Sequence, residues 1–451
     1  MGGINNSYQI LDNCSYFGSY WLINSEIEIR MMIPKNIENK EIGLLGLGVS
    51  GKSAFKSLKA GGGNIYAYDD NISNDPIVIE PDKWPWEKLN KIVVSPGISL
   101  NHPVIKKAES FKVDIINEID VFANSKPKAK VLGVTGTNGK STTSALLGHI
   151  LNLNGFNTKV GGNIGEAATS IEDPGEDGFI ILELSSFQLE TCSDLKLDGA
   201  ILLNITPDHL DWHGNLDNYF NSKLKIGTFL KEGAPIVVSN TNNLTKKACE
   251  LFYKNKIKVI EVLKNDISHL QTILENKFYN ENHLTIIQLL KEFGVKKDKS
   301  IEAIKSFNEL PHRLEFFYQK NNITFINDSK ATNAEATINA LEKYRNIYWI
   351  AGGIGKTDGV KATLKHLKNV NKCYLIGKSK KDFFETLNSK IDCTISDNLS
   401  KALKGIFKET LNKSNEITVL LSPAASSFDQ FLNFESRGNA FKSLISEIWE
   451  I

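Results

Sequence analysis

The chain has 451 residues, 41% of them hydrophobic and 23% charged, with a formal net charge of +1. That length exceeds one ordinary core, so two or three domains are expected, and the balanced charge gives no basis for binding nucleic acid or a membrane surface. No apolar run reaches the ~18 residues of a membrane helix, and five cysteines without a CxxC pair argue against a disulfide framework and for a reducing, cytoplasmic setting.

Residues 1–35 mix aromatics and Asn without a period and read as an irregular N-terminal extension. The pattern then sharpens. Residues 42–47 read as a buried strand, and Gly46-Leu47-Gly48-Val49-Ser50-Gly51 turns it into a helix. A second strand at 65–68 ends at Asp69-Asp70, and a third at 92–94 runs into Ser95-Pro96-Gly97. Strand, helix and strand in this order predict a parallel sheet with crossovers. Residues 124–130 read as a linker. A second α/β unit follows with strands at 131–134, 179–182 and 200–203, closing near Leu310. A third has strands at 324–326, 347–350, 373–376 and 417–421. The expected fold class is α/β, in three domains.

The strongest chemical signal is Gly133-Val134-Thr135-Gly136-Thr137-Asn138-Gly139-Lys140-Ser141-Thr142. A strand feeds a Gly-rich turn that opens a helix, where backbone N–H groups and the helix dipole favour phosphate oxygens. Lys140 is suited to neutralise β- and γ-phosphates, and Ser141 offers a hydroxyl to Mg²⁺. Val134 stands where GxxxxGK[ST] wants its first Gly. The bland alternative is a solvated turn with an exposed lysine.

Glu183, just past the strand at 179–182, would point into the crevice where open α/β sheets bind ligands, and a hard carboxylate suits Mg²⁺. His209, in Asn204-Ile205-Thr206-Pro207-Asp208-His209, is a candidate metal ligand or an ordinary capping residue. Lys223 is, by composition, a helix-surface lysine. The run Gly46 to Gly51 matches GxGxxG with Asp69 eighteen positions on, close to a dinucleotide fingerprint. That leaves a nicotinamide-dependent oxidoreductase, or a UDP-sugar binding module, as competing readings. The last third offers Pro311-His312-Arg313, Asn327-Asp328-Ser329-Lys330-Ala331-Thr332-Asn333, Lys356, and Ser422-Pro423-Ala424-Ala425-Ser426-Ser427-Phe428.

Taken in order from Glu41 onward, these segments resemble the Mur ligase family. The run Gly136-Thr137-Asn138-Gly139-Lys140-Ser141-Thr142 is shared with folylpolyglutamate synthetase relatives, so a ligase of that kind stays open. Glu183-Leu184-Ser185-Ser186-Phe187-Gln188, the Asn327 segment, and Ser427-Phe428-Asp429-Gln430-Phe431 running into Phe434-Glu435-Ser436-Arg437-Gly438 are more specific.

The resemblance implies a Rossmann-like UDP-binding domain at 36–127, a P-loop-type ATPase domain at 128–309 and a Rossmann-like amino-acid domain at 310–451. It implies ATP, two Mg²⁺ and no NAD. The implied substrates are UDP-N-acetylmuramoyl-L-alanine and D-glutamate, joined through an acyl phosphate by a cytoplasmic monomer. ATP would be held by residues 136–142 (Gly136, Thr137, Asn138, Gly139, Lys140, Ser141, Thr142) with Arg313, Asp328 and Lys330. Ser141, Glu183, His209 and a carbamylated Lys223 would hold metal, and Lys140, Glu183, His209 and Lys223 would be catalytic. Val49, Ser50, Asp70, Asn71 and Gly97 would line the uridine diphosphate site, and Asn163 would touch the muramoyl group. Thr332, Lys356, Ser427, Phe428 and Phe434 would face the reacting groups and D-glutamate. The family's His-Asn-x-x-Asn adenine segment has only Tyr279-Asn280-Glu281-Asn282-His283 as its counterpart, which nominates Asn282.

Overall fold

The computed structural model describes residues 31–263, 266, 280–308, 310–356 and 358–450. Most of the expected N-terminal extension, and Tyr279, lie outside the described residues.

Three sheets follow one another along the chain. The first contains β1 (Glu41–Leu45), β2 (Asn64–Tyr68), β3 (Leu89–Val94) and β4 (Asp114–Ile116), in the spatial order β2-β1-β3-β4, all parallel. The predicted strand at 42–47 ends earlier, because Gly46 takes φ 93° and starts the turn.

The second sheet is parallel throughout. It contains β5 (Lys130–Thr135), β6 (Thr158–Gly162), β7 (Phe179–Glu183), β8 (Gly199–Leu202), β9 (Pro235–Ser239) and β10 (Lys258–Val262), in the order β10-β9-β8-β5-β7-β6. The strands β5, β7 and β8 are apolar runs because helices cover both faces. Leu132 and Ile181 pack on one face with the helix Lys140–Leu153, and Ile180 and Leu182 on the other with Phe220 and Phe252.

The third sheet contains β11 (Glu315–Lys320), β12 (Ile323–Asn327), β13 (Ile347–Gly352), β15 (Val370–Ile376), β16 (Asp392–Asp397) and β17 (Ile417–Leu421). Its order is β11-β12-β17-β13-β15-β16, with β11 antiparallel at one edge. A small antiparallel pair, β14 (Ile354–Gly355) with β18 (Ala425–Ser426), extends this unit towards the second.

The units are stitched together by buried polar contacts. Ser53 Oγ lies 2.6 Å from Thr169 Oγ1, and Asn117 donates its amide to the Gln188 carbonyl at 2.6 Å. Glu118, 1% exposed, accepts from the Thr169 N–H at 2.5 Å, and burial raises its carboxyl to about 7. Residues 31–35 join this seam: Met32 donates its N–H to the Thr169 carbonyl and is buried. Among the described residues no helix is long and apolar enough to cross a membrane.

Candidate active site

The phosphate-loop candidate sits between β5 and the helix Lys140–Leu153. Val134 is fully buried inside β5, so the loop proper begins only at Gly136. Gly139 takes φ 88° as N-cap, which turns the chain into the helix. The loop is stapled to the end of β8: Asn204 accepts the Asn138 N–H on its side chain and donates its amide to the Asn138 carbonyl, both at 2.9 Å. Thr137 Oγ1 meets the Tyr219 hydroxyl at 2.9 Å.

Two lysines close over this loop. Lys140 Nζ donates to the Gly136 and Thr137 carbonyls at 2.9 and 3.0 Å. Lys223, expected from composition at a helix surface, is instead 1% exposed and donates to the Gly136 carbonyl at 2.8 Å, its ammonium 4.7 Å from the Tyr219 ring centre. The chain geometry accounts for this: Tyr219, Phe220 and Lys223 share the buried face of the helix Leu216–Leu224. Burial lowers the proton affinity of Lys140, and burial with the neighbouring Lys140 drives that of Lys223 well down.

Glu183 ends β7 beside the loop, 2% exposed. Its Oε1 accepts the Asn163 amide at 2.8 Å, whereas Oε2 is buried with no hydrogen-bond partner among the described residues. An orphaned carboxylate oxygen at this depth is costly unless a cation meets it.

His209 takes the left-handed conformation (φ 53°) and meets the edge of the Phe187 ring at 4.8 Å. Burial pushes its imidazole down to about 4, with Lys356, Lys140 and Lys223 acting the same way against Asp208. The ring is therefore neutral near pH 7, the form that ligates metals. Burial raises the adjacent Asp208 carboxyl, but His209 and Lys356 outweigh it and hold the group below its usual range.

The third unit reaches into the same place. Arg313 donates to Ser141 Oγ at 2.5 Å. Lys356 pairs with Asp208 at 3.2 Å, and Asn333 donates to Asn138 Oδ1 at 3.2 Å and to Asp208 at 3.3 Å. Asp328 is held by the Ser422 hydroxyl at 2.7 Å and by the Leu314 N–H. Lys330 lies 3.8 Å over the Phe434 ring, and burial with the nearby Arg313 lowers its ammonium to about 8. Arg437, 1% exposed, ties the helix Phe434–Ile448 to Ser329 and to the Ala425 carbonyl.

Together these elements enclose a cleft of about 500 Å³. The structure brings Thr137, Asn138, Gly139, Lys140, Ser141, Thr142, Asn163, Glu183, His209, Lys223, Arg313, Asp328, Lys330, Thr332, Ser427, Phe428 and Phe434 onto its walls. Lys356 lines a smaller hollow next to it with Asp208 and His209. Asn282 does not line the cleft; its amide lies behind Gly139, where an added Cβ would come within 2.5 Å of it. Sequence reasoning gave no role to Asp208, Asn333, Tyr219 or Ser186. All but Tyr219 lie inside motifs it had singled out.

Val49, Ser50, Asp70, Asn71 and Gly97 stand apart from the cleft, in the segments that follow β1, β2 and β3 at their C-terminal ends. Val49 is 76% exposed, Asp70 pairs with His102 at 3.0 Å, and Gly97 takes φ 89° with open space beside it. Asp69 is occupied structurally: its carboxylate accepts the Leu47 N–H at 2.7 Å and the Asn71 N–H at 2.9 Å. The two regions adjoin, because Trp212, three residues after His209, donates its indole N–H to the Ile98 carbonyl at 3.2 Å.

Three α/β units in series, with the phosphate-loop candidate in the middle one facing a cationic third one, define the class: the chain belongs to the Mur ligase family. Residues 134–303 match the Mur ligase middle domain. The UDP-N-acetylmuramoylalanine–D-glutamate ligase of Rickettsia prowazekii (strain Madrid E) is 36% identical over 92% of this chain and 99% of its own length. The same-named ligase of Caulobacter vibrioides (strain NA1000 / CB15N) is 32% identical over 92% of this chain and 98% of its own length. The fold is also that of MurF ligase from Thermotoga maritima, solved in complex with ADP (TM-score 0.57, 15% identity, 93% of this chain and 99% of that one). The UDP-N-acetylmuramate–alanine ligase MurC from Thermotoga maritima is similar too (TM-score 0.56, 17% identity, 91% of this chain and 100% of that one).

Proposed function

We propose that this chain is an ATP-dependent amide ligase of peptidoglycan precursor synthesis, joining D-glutamate to UDP-N-acetylmuramoyl-L-alanine. The observation that carries the reading is the convergence of Lys140, Lys223, Arg313 and Lys330 on one cleft with Glu183. The shared burial and mutual repulsion of these cations lower the proton affinities of the lysines. Polyanions relieve that repulsion, and two anions must meet for a carboxylate to take a phosphoryl group.

A carboxylate is a poor electrophile, and phosphorylation supplies its leaving group. In this reading Gly136 to Thr142 cradle the ATP phosphates, and Lys140 and Arg313 screen the charge gathered as the acceptor carboxylate approaches the γ-phosphorus. Asp328 and Lys330 complete the nucleotide side, and Asn282 backs the loop near adenine. The amine of D-glutamate, held by Lys356, Thr332, Ser427, Phe428 and Phe434, then attacks the acyl phosphate, and phosphate departs. Val49, Ser50, Asp70, Asn71, Gly97 and Asn163 hold the UDP-muramoyl end.

The donors suit Mg²⁺ bound by few protein groups. Among the described residues the buried Oε2 of Glu183 lacks a partner, and no cluster of three or more His, Cys, Asp or Glu is present. Mg²⁺ is commonly held by one or two carboxylates with phosphate oxygens and water. Glu183 and Ser141 would hold one ion, and neutral His209 with a carbamylated Lys223 a second. The ions would supply charge neutralisation at the transferred phosphoryl group. The depressed proton affinity of Lys223 favours its neutral amine, the form that adds CO₂ to give a carbamate. The chain would act as a monomer in the cytoplasm, where ATP and nucleotide-linked precursors are found.

Phosphate release should require ATP, the UDP-muramoyl-alanine acceptor and D-glutamate together. Equal turnover with L-glutamate, or with a folate acceptor, would sink the assignment.

A further inference from the structure

His213 has no part in the reaction as outlined so far, yet it is buried, 6% exposed, and bonded through both ring nitrogens. It ends the helix Leu210–His213 that begins beside His209. Its Nε2 lies 3.0 Å from Ser186 Oγ and its Nδ1 lies 3.3 Å from Ser222 Oγ.

The proton positions follow by elimination. The Ser222 hydroxyl has one proton and two neighbouring acceptors, Glu190 Oε2 at 2.5 Å and the Asn218 carbonyl at 2.9 Å. Glu190 is itself ion-paired with Lys225 at 2.9 Å. The Glu190 carboxylate at 2.5 Å is a nearer and stronger acceptor than His213 Nδ1 at 3.3 Å, so it takes the Ser222 proton, Ser222 has only lone pairs left for His213, and Nδ1 carries the ring hydrogen. Burial lowers the His213 imidazole below its ordinary range, in keeping with a neutral ring. Nε2 is then an acceptor, and Ser186 must donate to it.

Ser186 borders the cleft, three residues after Glu183. With its one proton given to His213, it offers only lone pairs to whatever enters. The same imidazole stacks on Phe187 at 5.6 Å and 10°, and Phe187 in turn meets His209.

We infer that His213 is a positioning residue that fixes Ser186 as a hydrogen-bond acceptor for a substrate N–H group in the cleft. The inference rests on the proposed reaction for the source of that group: the amine of the incoming amino acid, or the amide of the acceptor.

Steady-state kinetics of full-length Ser186→Ala, His213→Leu, His213→Gln and the double variant Ser186→Ala/His213→Leu test it. Ser186→Ala and His213→Leu should each lower kcat/KM for one N–H-bearing substrate by roughly 10- to 100-fold. KM for ATP should stay within about 2-fold, and the double variant should be no worse than either single one. His213→Gln places a carbonyl near the Nε2 position and should recover activity to within about 3-fold. A change confined to the amino acid assigns the amine; one confined to the acceptor assigns the amide. Unchanged kinetics in Ser186→Ala, or His213→Gln as impaired as His213→Leu, would overturn the inference. The tautomer is read independently of turnover by NMR of protein labelled with ¹⁵N-histidine. A protonated Nδ1 with bare Nε2 is expected for His213, and the opposite tautomer refutes the inference even where the substrate assignment fails.

Discussion

The turn after β1 and the turn after β5 both leave a parallel strand, pass through a glycine at positive φ (Gly46 at 93°, Gly139 at 88°) and open a helix. Their surroundings differ. In the first, Asp69 accepts the Leu47 N–H, and the Gly51 Cα lies so close to the Gly46 carbonyl that an added Cβ would sit 1.9 Å from its oxygen. This bend is met by an acid and closed against its own backbone. In the second, Lys140 and Lys223 converge on the Gly136 carbonyl, and Arg313 arrives from another unit. A glycine pattern specifies a bend; the charges brought to it by distant elements specify what it can hold.

The largest test of that contrast is Lys140→Ala, which should lower kcat by on the order of 10³-fold, because it removes a preorganised cation from the proposed phosphate site. Turnover above half of wild type would place nucleotide chemistry elsewhere. Arg313→Ala asks whether the second turn depends on the third unit. A loss on the order of 10²-fold in kcat is expected, with the melting temperature in the absence of nucleotide little changed.

The seam between the two regions has its own signature. The folded-state value of Glu118 is raised by burial to about 7, above its unfolded value near 4.5. Its contribution is fully present below about pH 4.5 and is lost as pH rises through about 7. Wild type should lose about 2–3 kcal/mol between pH 5 and pH 8 from this group. Glu118→Gln should flatten that part of the thermal-melt profile. An identical pH dependence in both proteins would contradict the assignment. The smallest effect belongs to Asp69→Asn, which weakens a charge-assisted bond to the first turn. It should cost about 1 kcal/mol of stability and leave ATP affinity by calorimetry unchanged. A collapse of ATP affinity would show that the first turn, too, serves the nucleotide.

Much of this architecture was legible locally. The strands β5, β7, β8 and β17 are mainly apolar and buried, and the sequence reading located each of them to within about a residue. The strands β4, β6, β9, β10, β11 and β16 and the short pair β14 and β18 were missed: β4 is three residues long, β6 ends in two glycines, and the edge strands β10, β11 and β16 are partly solvated, whereas β9 is as buried as the strands that were found. At the site, contiguous motifs were readable because one loop carries several groups at once. The burial of Lys223 could not be read from composition, since it depends on Tyr219 and on the loop across from it. Asp208, Asn333 and His213 acquire roles only through partners 125 residues or 27 residues away in sequence.

The central claim is that this cleft activates one particular carboxylate for one particular amine. Continuous phosphate-release measurements, with the product mass determined in parallel, test it most directly. Turnover is predicted only with ATP, Mg²⁺, UDP-N-acetylmuramoyl-L-alanine and D-glutamate present together, yielding the acceptor extended by one glutamyl residue. Phosphate release at the same rate without D-glutamate, or an unextended acceptor after ATP is consumed, would contradict it.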